Sequence, residues 1–549
     1  MRTLIITTLI LSWQILFAQQ KTEVYFGVTG RTDVGKDILE LYDKGYYITG
    51  RFEGSGEYNY GWNIKTDINI ELVYDKVFEH SMSSVASTKS VSDSNGNIYI
   101  CGFMEISDQW PFVTKIDSCG NHVWCKILDY SDDFEYGSSR DILLTEDNEV
   151  IVLTGFESEL QIDKVHLIGL STDGDVLWKK PYASQNNHSW IRNPSGYSMM
   201  EYNDEYYISG FCYWPYPDDT THWFLRPLFI GIDSLFEEKW ILPFYALDSV
   251  FGDAFNTIAI NDSILMGVGV RRAYNSSNED NAILMFYNID GEQIGYNEIY
   301  NDQIGPEIKG SDIRNIVRIN ENIFITASQF GPDFSANPYG ELIIDTSGNI
   351  FNLQTHQNTV SFIPGLIKTY DSNYVIATGI KESNPAKTDI YVYKIDENLQ
   401  DVPFDPTPHN YDSLCPGGIQ SGTIDLTNCF VWTDIGKAPS PKEYYESIKK
   451  IPVKAYPNPA TEGTITFEFE NTEHLSPPNP SRRDGTGSQG GTYPSLVVFN
   501  IFGEKIHKEK IYRYQGKSIV DVSKWRKGMY VAVVYSKGLP AGQCKFVVQ

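Results

Sequence analysis

Just past Cys212 the chain gathers Tyr213, Trp214, Tyr216, His222 and Trp223 beside Asp218 and Asp219. Aromatic faces next to carboxylates suit stacking on sugar rings or gripping peptides. The plainer reading is that such rings pack one structural layer on another. Tyr58, Tyr60 and Trp62, then Trp110, then Phe330, Phe334 and Tyr339 carry the same two readings. The sequence has no HExxH, no GxSxG and no phosphate-binding loop, and its nine histidines are scattered without metal-ligand spacing. Acidic residues are so widespread that a carboxylate pair for glycoside cleavage does not stand out. At this level the expectation is no metal, no cofactor and no named catalytic residue. Tyr213, Trp214, Tyr216, His222 and Trp223 are the expected ligand-binding set.

What positions these residues is a repeat. Asp67, Asp117, Ser171, Asp233, Asn288, Asp345 and Asp396 recur at intervals of 50, 54, 62, 55, 57 and 51 residues. Seven residues after each stand Tyr74, Trp124, Trp178, Trp240, Gly295, Asn352 and Pro403, so the aromatic is kept in the first four copies. This spacing is that of propeller blades rather than helical repeats. Each copy reads as four strands. The second is clearest: Tyr46–Gly50, Ile98–Gly102, Val152–Gly155, Tyr206–Gly210, Ile264–Gly267 and Tyr374–Gly379, with Ile323–Ser328 taking serine instead. β-Branched and aromatic runs suit buried strands, and glycine permits close backbone approach near an axis. The turns at Asp173-Gly174, Asp290-Gly291 and Ser347-Gly348 favour positive φ and close hairpins. Their acidic residues lack the spacing of a calcium loop and read as turn closers. Ser171 to Trp178 comes near the S-x-D-x-G-x-x-W box of sialidase-type propellers, but its glycine falls one place early.

Glu23–Val28 resembles a fourth strand running into a first. Such a strand completes the last blade, where Pro403 spoils Val402–Phe404. The expected fold is therefore all-β: a seven-bladed β-propeller over 19–410, sealed by its two ends, which leaves no long open edge.

Residues 1–18 read as a signal peptide, with Arg2, an apolar run and Ala18 before the cut. Net charge is −27, yet thirteen Lys or Arg face only eight Asp or Glu from Ile451 onward. The acidic main body argues against nucleic acid as a partner. Seven cysteines leave at least one unpaired. Cys415 and Cys429 are the first candidates for a disulfide, Cys119 with Cys125 the second, and Cys101, Cys212 and Cys544 read as small hydrophobes in strands. Residues 411–452 form a Cys-flanked segment and a linker, with a helix-like patch at 443–450.

The last stretch, 453–549, alternates as a small all-β unit. Tyr456-Pro457-Asn458-Pro459-Ala460, Phe499 to Lys505 including Gly503, Gly528-Met529-Tyr530 and the lysine-bearing final strand resemble the type A C-terminal sorting domain of type IX secretion substrates. The resemblance covers about 95 residues in order, interrupted by a Pro-, Gly-, Ser- and Arg-rich insertion from Asn471 to Pro494 whose composition predicts disorder. It implies an immunoglobulin-like sandwich that engages the secretion machinery, and a protein released or attached at the outer cell surface. A non-catalytic binding propeller for glycan or protein is then the leading expectation. The alternative is an extracellular hydrolase or lyase, which carboxylates and a basic residue clustered in the channel favour.

Overall fold

A computed structural model describes residues 22–549 apart from 29, 55, 57, 106–108, 130–133, 159–163, 185–187, 189–190, 216–222, 245–250, 273–279, 306–309, 331–338, 357–363, 382–386, 412, 416–417, 433–437, 448–451, 462, 470–494, 502–503, 512–516 and 537–538. The expected signal segment and the 471–494 insertion thus lie outside the described residues.

Among the described residues, seven antiparallel sheets of four strands precede residue 396. Sheet one comprises Asp33–Glu40, Tyr46–Glu53, Asn59–Thr66 and Leu72–Glu79. Sheets two to six repeat that meander, starting at Ser84, Phe134, Arg192, Phe251 and Ser311. In sheet seven the chain supplies three strands, Gly365–Lys368, Tyr374–Lys381 and Thr388–Ile395, and the N-terminal Glu23–Phe26 adds the fourth. Glu23 lies opposite Tyr393 and Phe26 opposite Ile390. Beyond Ile395 the chain adds only a bridge to Asp401. The first strands of all seven sheets touch in cyclic order, the seventh meeting the first. They surround an axis, so the fold is a β-propeller.

The core lies between sheets rather than within one. Along Ile98–Glu105, Ile98 and Ile100 enter the cluster shared with sheet one, while Tyr99 and Cys101 enter the cluster shared with sheet three. Successive strand residues face opposite ways, so a strand buried on both faces is apolar throughout. That is why the second strands read as unbroken apolar runs.

The anchor residues close one turn in every copy. Asp117 Oδ1 accepts N–H bonds from Cys119 and Asn121 at 2.9 and 2.8 Å, and Ser171 Oγ accepts from Asp173 and Asp175 at 3.2 and 3.1 Å. The same pair of bonds forms at Asp67, Asp233, Asn288, Asp345 and Asp396. Three places after each anchor the backbone has positive φ, including at Ile70, Phe236 and Leu399, where glycine is absent. The aromatic seven places on belongs to the neighbour's turn. Trp124 Nε1 donates to Thr172 O at 3.0 Å and Trp240 Nε1 to Ile289 O at 2.9 Å. Asn352 Nδ2 makes the equivalent bond to Asn398 O at 2.7 Å. Of the three copies that lose the aromatic, this one keeps a polar peg between sheets.

After the ring the chain wraps its outer edges. Tyr411 Oη accepts from Ile68 N at 2.9 Å, and its carbonyl accepts from Lys65 Nζ at 3.2 Å. Gly422–Asp425 pairs parallel with the outer strand of sheet one, and Phe430–Trp432 with that of sheet two. Two disulfides fix this strap, Cys119–Cys415 and Cys125–Cys429. Cys415 and Cys429 are thus disulfide-bonded, but each to sheet two rather than to the other, and Cys119 does not bond Cys125. The expected pairings are corrected on both counts. Parallel pairing carries the strap past two strand edges, which separates its cysteines and sets each against a different partner. Cys101 and Cys212 are free and buried. The helix-like patch is a helix, Pro441–Ser447, begun by Ser440 Oγ accepting from Glu443 N at 3.3 Å while Glu443 Oε2 accepts from Ser440 N at 2.8 Å. It docks on the ring through Tyr445 Oη, which donates to Glu149 Oε2 at 2.6 Å.

The C-terminal unit has a three-stranded sheet and a four-stranded sheet enclosing one core that includes Ile465, Phe467, Leu496, Val498, Val534 and Phe546. Asn458 ties its start to its end: Nδ2 donates to Lys545 O at 3.2 Å and Oδ1 accepts from Val547 N at 3.0 Å. Both Pro457 and Pro459 follow cis peptide bonds. Tyr530 Oη donates to Arg526 O at 2.6 Å, and its ring stacks on Phe546. Gly528 opens the strand carrying Tyr530, and Gly503 lies outside the described residues.

Candidate functional site

Two places bring chemistry-bearing side chains together. The first ends the long hairpin of sheet four, Glu205–Pro215 with Trp223–Ile232. Trp214 pairs with Phe224, Pro215 with Trp223, and Tyr213 lies opposite both Leu225 and Arg192. Tyr213, Trp214 and Trp223 are half-buried. The Arg192 guanidinium sits 3.9 Å from the Trp223 ring centre, and that of Arg226 sits 4.4 Å from Trp214. Each indole thus has one face covered by a cation, worth about 0.5–1 kcal/mol where exposed. Tyr216, His222, Asp218 and Asp219 lie outside the described residues.

The other aromatic loops divide. Tyr58 is exposed, and Trp62 is half-buried with Nε1 donating to Asp75 at 2.9 Å. Trp110 packs on the core between sheets one and two. Phe330 and Tyr339 are fully buried, so for them the packing reading holds and the rim reading is corrected. Phe334 is outside the described residues.

The second place is the axis. In sheets one to six the first strand carries a register shift at one equivalent position, leaving Lys36, Thr88, Arg140, Tyr197, Phe255 and Arg314 out of the pairing. A β-bulge re-aims a side chain and bends its strand. The bend explains the glycines ending the second strands. A Cβ on Gly50 would lie 2.2 Å from Val34 O, on Gly102 2.0 Å from Ala86 O, on Gly210 1.8 Å from Ser195 O and on Gly269 1.9 Å from Asp253 O. In the other two bulged sheets the place belongs to Thr154 and Ser328. The close approach expected of these glycines is real, but it is made to the first strand of the same sheet. In sheet five it falls to Gly269 rather than Gly267, which instead meets the Phe229 ring.

In five of the six bulged sheets the residue after the bulge bonds across the seam to a neighbouring sheet, and in sheet four Ser198 bonds Ser209 of its own sheet instead. Asp37 pairs with Lys89 at 2.8 Å and accepts from Ser90 N at 3.0 Å. Asp141 accepts from Met199 N at 2.7 Å, and burial raises its pKa to about 6. Asn256 donates to Asn315 at 2.8 Å, and Asn315 donates to Pro364 O at 3.3 Å.

The bulged residues themselves meet across sheets. Burial, followed by the charges of Arg51, Arg140 and Arg314, lowers the Lys36 pKa to about 7. Arg140 belongs to sheet three and Arg314 to sheet six, so only convergence on the axis brings both near Lys36 of sheet one. The Arg314 guanidinium lies 4.1 Å from the Phe255 ring centre and bonds Asp312 at 2.7 Å. Tyr197 packs between Phe211 and Phe255, with Oη 3.5 Å from Asp253 Oδ1. Burial pushes the Tyr197 phenol upward, with the charge of Asp253 second. Arg272 pairs with Asp253 at 2.9 Å. None of these axial residues was singled out by the sequence reading, although the glycines that accommodate the bulges were.

A propeller followed by a small β-sandwich is the class the geometry defines. Residues 454–549 match the family described as secretion system C-terminal sorting domain. Residues 454–549 are therefore a type IX sorting domain, which indicates export as a secreted or outer-surface-attached protein and implies interaction with that machinery. No curated protein matches the chain. Among solved structures it is similar to a polysaccharide lyase, an ulvan lyase, at 10% identity and TM-score 0.45, over 68% of this chain and 96% of that one. It is also similar to Drosophila plexin A in complex with semaphorin 1b, at 8% identity and TM-score 0.39, over 78% and 98%. A third is the endo-arabinase of Bacteroides thetaiotaomicron, at 12% identity and TM-score 0.31, over 50% and 96%. Likeness at this level says nothing of a substrate.

Proposed function

We propose that the exported propeller is a binding module for an extracellular glycan or protein, with the hairpin end of sheet four as part of its contact surface. The observation that carries this reading is the half-buried grouping of Tyr213, Trp214 and Trp223 with Arg192 and Arg226. Rigid rings held by guanidinium groups offer amphipathic contact at little entropic cost. Tyr216 and His222 belong to the same proposed surface by sequence. The working boundaries are 1–18 for the signal peptide, 19–410 for the propeller, 411–452 for the strap and connection and 453–549 for the sorting domain. A glycan and peptide array probed with the mature chain should show selective binding that Trp214→Ala with Trp223→Ala reduces at least tenfold. Equal binding by both proteins would remove this surface from the account.

A second reading, a hydrolase or lyase, is favoured by one observation. Lys36, Tyr197 and Asp253 put titratable groups with shifted pKa on the axis, and such groups suit general acid–base work. Release of new reducing ends or unsaturated products from extracellular polysaccharides, abolished by Tyr197→Phe, would select it.

A further inference from the structure

We propose that the axis of the ring carries an oxyanion site, in which Lys36, Arg140 and Arg314 hold a carboxylate or sulfate group alongside Tyr197. This goes beyond the aromatic hairpin, since the axis is a separate place built by separate residues.

The first argument is construction. Six first strands carry the same bulge, and three of the six extruded residues are cationic. The shared irregularity re-aims the extruded side chains, of which Tyr197, Phe255 and Arg314 are in contact with one another across sheets, while Asp37, Lys89, Asp141, Asn256 and Asn315 beside them hold the seams. The second argument is charge. Five cations influence this place: Lys36, Arg51, Arg140, Arg272 and Arg314. The facing carboxylates are Asp253, paired to Arg272, Asp312, paired to Arg314, and Glu105 near Arg51. Asp37 and Asp141 are engaged in the seams. Arg140 is exposed and makes no ion pair among the described residues. Arg51, Arg140 and Arg314 all act on Lys36 in the direction that disfavours its charged form. Like cations held together at the axis repel one another, and an oxyanion relieves that repulsion. The third argument is geometry of recognition: guanidinium groups bind carboxylate and sulfate in a planar, two-pronged way, while an ammonium adds a point charge. The acidic exterior is screened beyond about 8–10 Å in physiological salt, so contact charges decide binding at the axis.

The same chemistry is offered by a free small acid and by an acidic sugar within a polymer. Titration calorimetry on the mature chain at physiological salt separates them, using sodium sulfate, sodium galacturonate, an oligogalacturonate and neutral maltotetraose. The expected result is binding of sulfate or galacturonate, or of the oligogalacturonate alone, with maltotetraose inert. Arg140→Gln and Lys36→Met should each weaken it about 10- to 100-fold, the range of one charged hydrogen bond, while Ile294→Ala, on an exposed outer-strand position, leaves it unchanged. Binding of the oligomer far above the monomer identifies a polymer; equal binding identifies a small acid. Circular dichroism and melting of both variants show whether they fold, and Arg140→Lys, which keeps the charge, should retain part of the affinity. The proposal is overturned if no acidic probe binds at about 10 mM, an affinity too weak to serve recognition, or if folded Arg140→Gln and Lys36→Met bind like the parent. Maltotetraose binding lost in Trp214→Ala, with acids inert, would sink the axial site and leave the binding-module reading standing.

Discussion

Gly210 and Gly155 lie within neighbouring second strands, yet alanine should affect them in opposite ways. At Gly210 a Cβ would meet Ser195 O at 1.8 Å, so the backbone itself must move. Gly210→Ala should cost more than about 2 kcal/mol and lower the melting temperature clearly. Gly155 lies one place past the close approach and has open space within 4 Å. Gly155→Ala should be neutral or gain about 0.4–1 kcal/mol by restricting the unfolded chain. Paired thermal melts check both, and equal losses would contradict the bulge account. Lys36 makes a different prediction. Its folded pKa of about 7 is below the ordinary 10.5, through burial first and then Arg51, Arg140 and Arg314. Between those two values the unfolded state holds more protons, so the lysine's contribution to stability improves as pH rises through that window. Below about pH 7 its full cost is present. Lys36→Met should therefore raise the melting temperature at pH 6 and lose that advantage near pH 10; a gain independent of pH would speak against a strained charge.

Among elements, the strap behind the ring is the most informative. Its disulfides span 296 and 304 residues. In the chain-entropy account, closing one loop of that size stabilises by about 6 kcal/mol as an upper bound. Cys119→Ser with Cys125→Ser should lower the melting temperature and open 411–432 to protease, while buried Cys101 and Cys212 stay unreactive in the folded protein. Limited proteolysis with mass mapping reads this directly. The strands were legible in the sequence because each turn needs a side-chain acceptor for two amides, which only Asp, Asn, Ser or Thr supplies at that spacing. N-terminal closure was legible because Glu23–Val28 has the phase of a fourth strand. The disulfide partners were not, because parallel edge pairing is fixed by tertiary contact rather than by nearby residues. The axial set was not, because Lys36, Arg140 and Arg314 are each ordinary in their own strand. Their only local signal is the glycine opposite, and Thr154 and Ser328 break it.

At the scale of the molecule, export and ring closure are separable. The sorting domain has its own core, so removing 454–549 should leave a folded propeller that stays inside the cell envelope. Cell fractionation would detect it, and appearance of the truncated protein in the medium would contradict the assignment. Removing residues 22–28 should do the reverse, sparing the tail but exposing the edge of Thr388–Ile395 and lowering cooperativity of unfolding.

The pairing of Glu23–Phe26 with Thr388–Ile395 also sets an order of events. Glu23–Phe26 is made long before Thr388–Ile395 and has no partner until the final repeat arrives, with strap and tail later still. A chain broken off within the ring would therefore keep that early strand unpaired and lack the sorting domain as well.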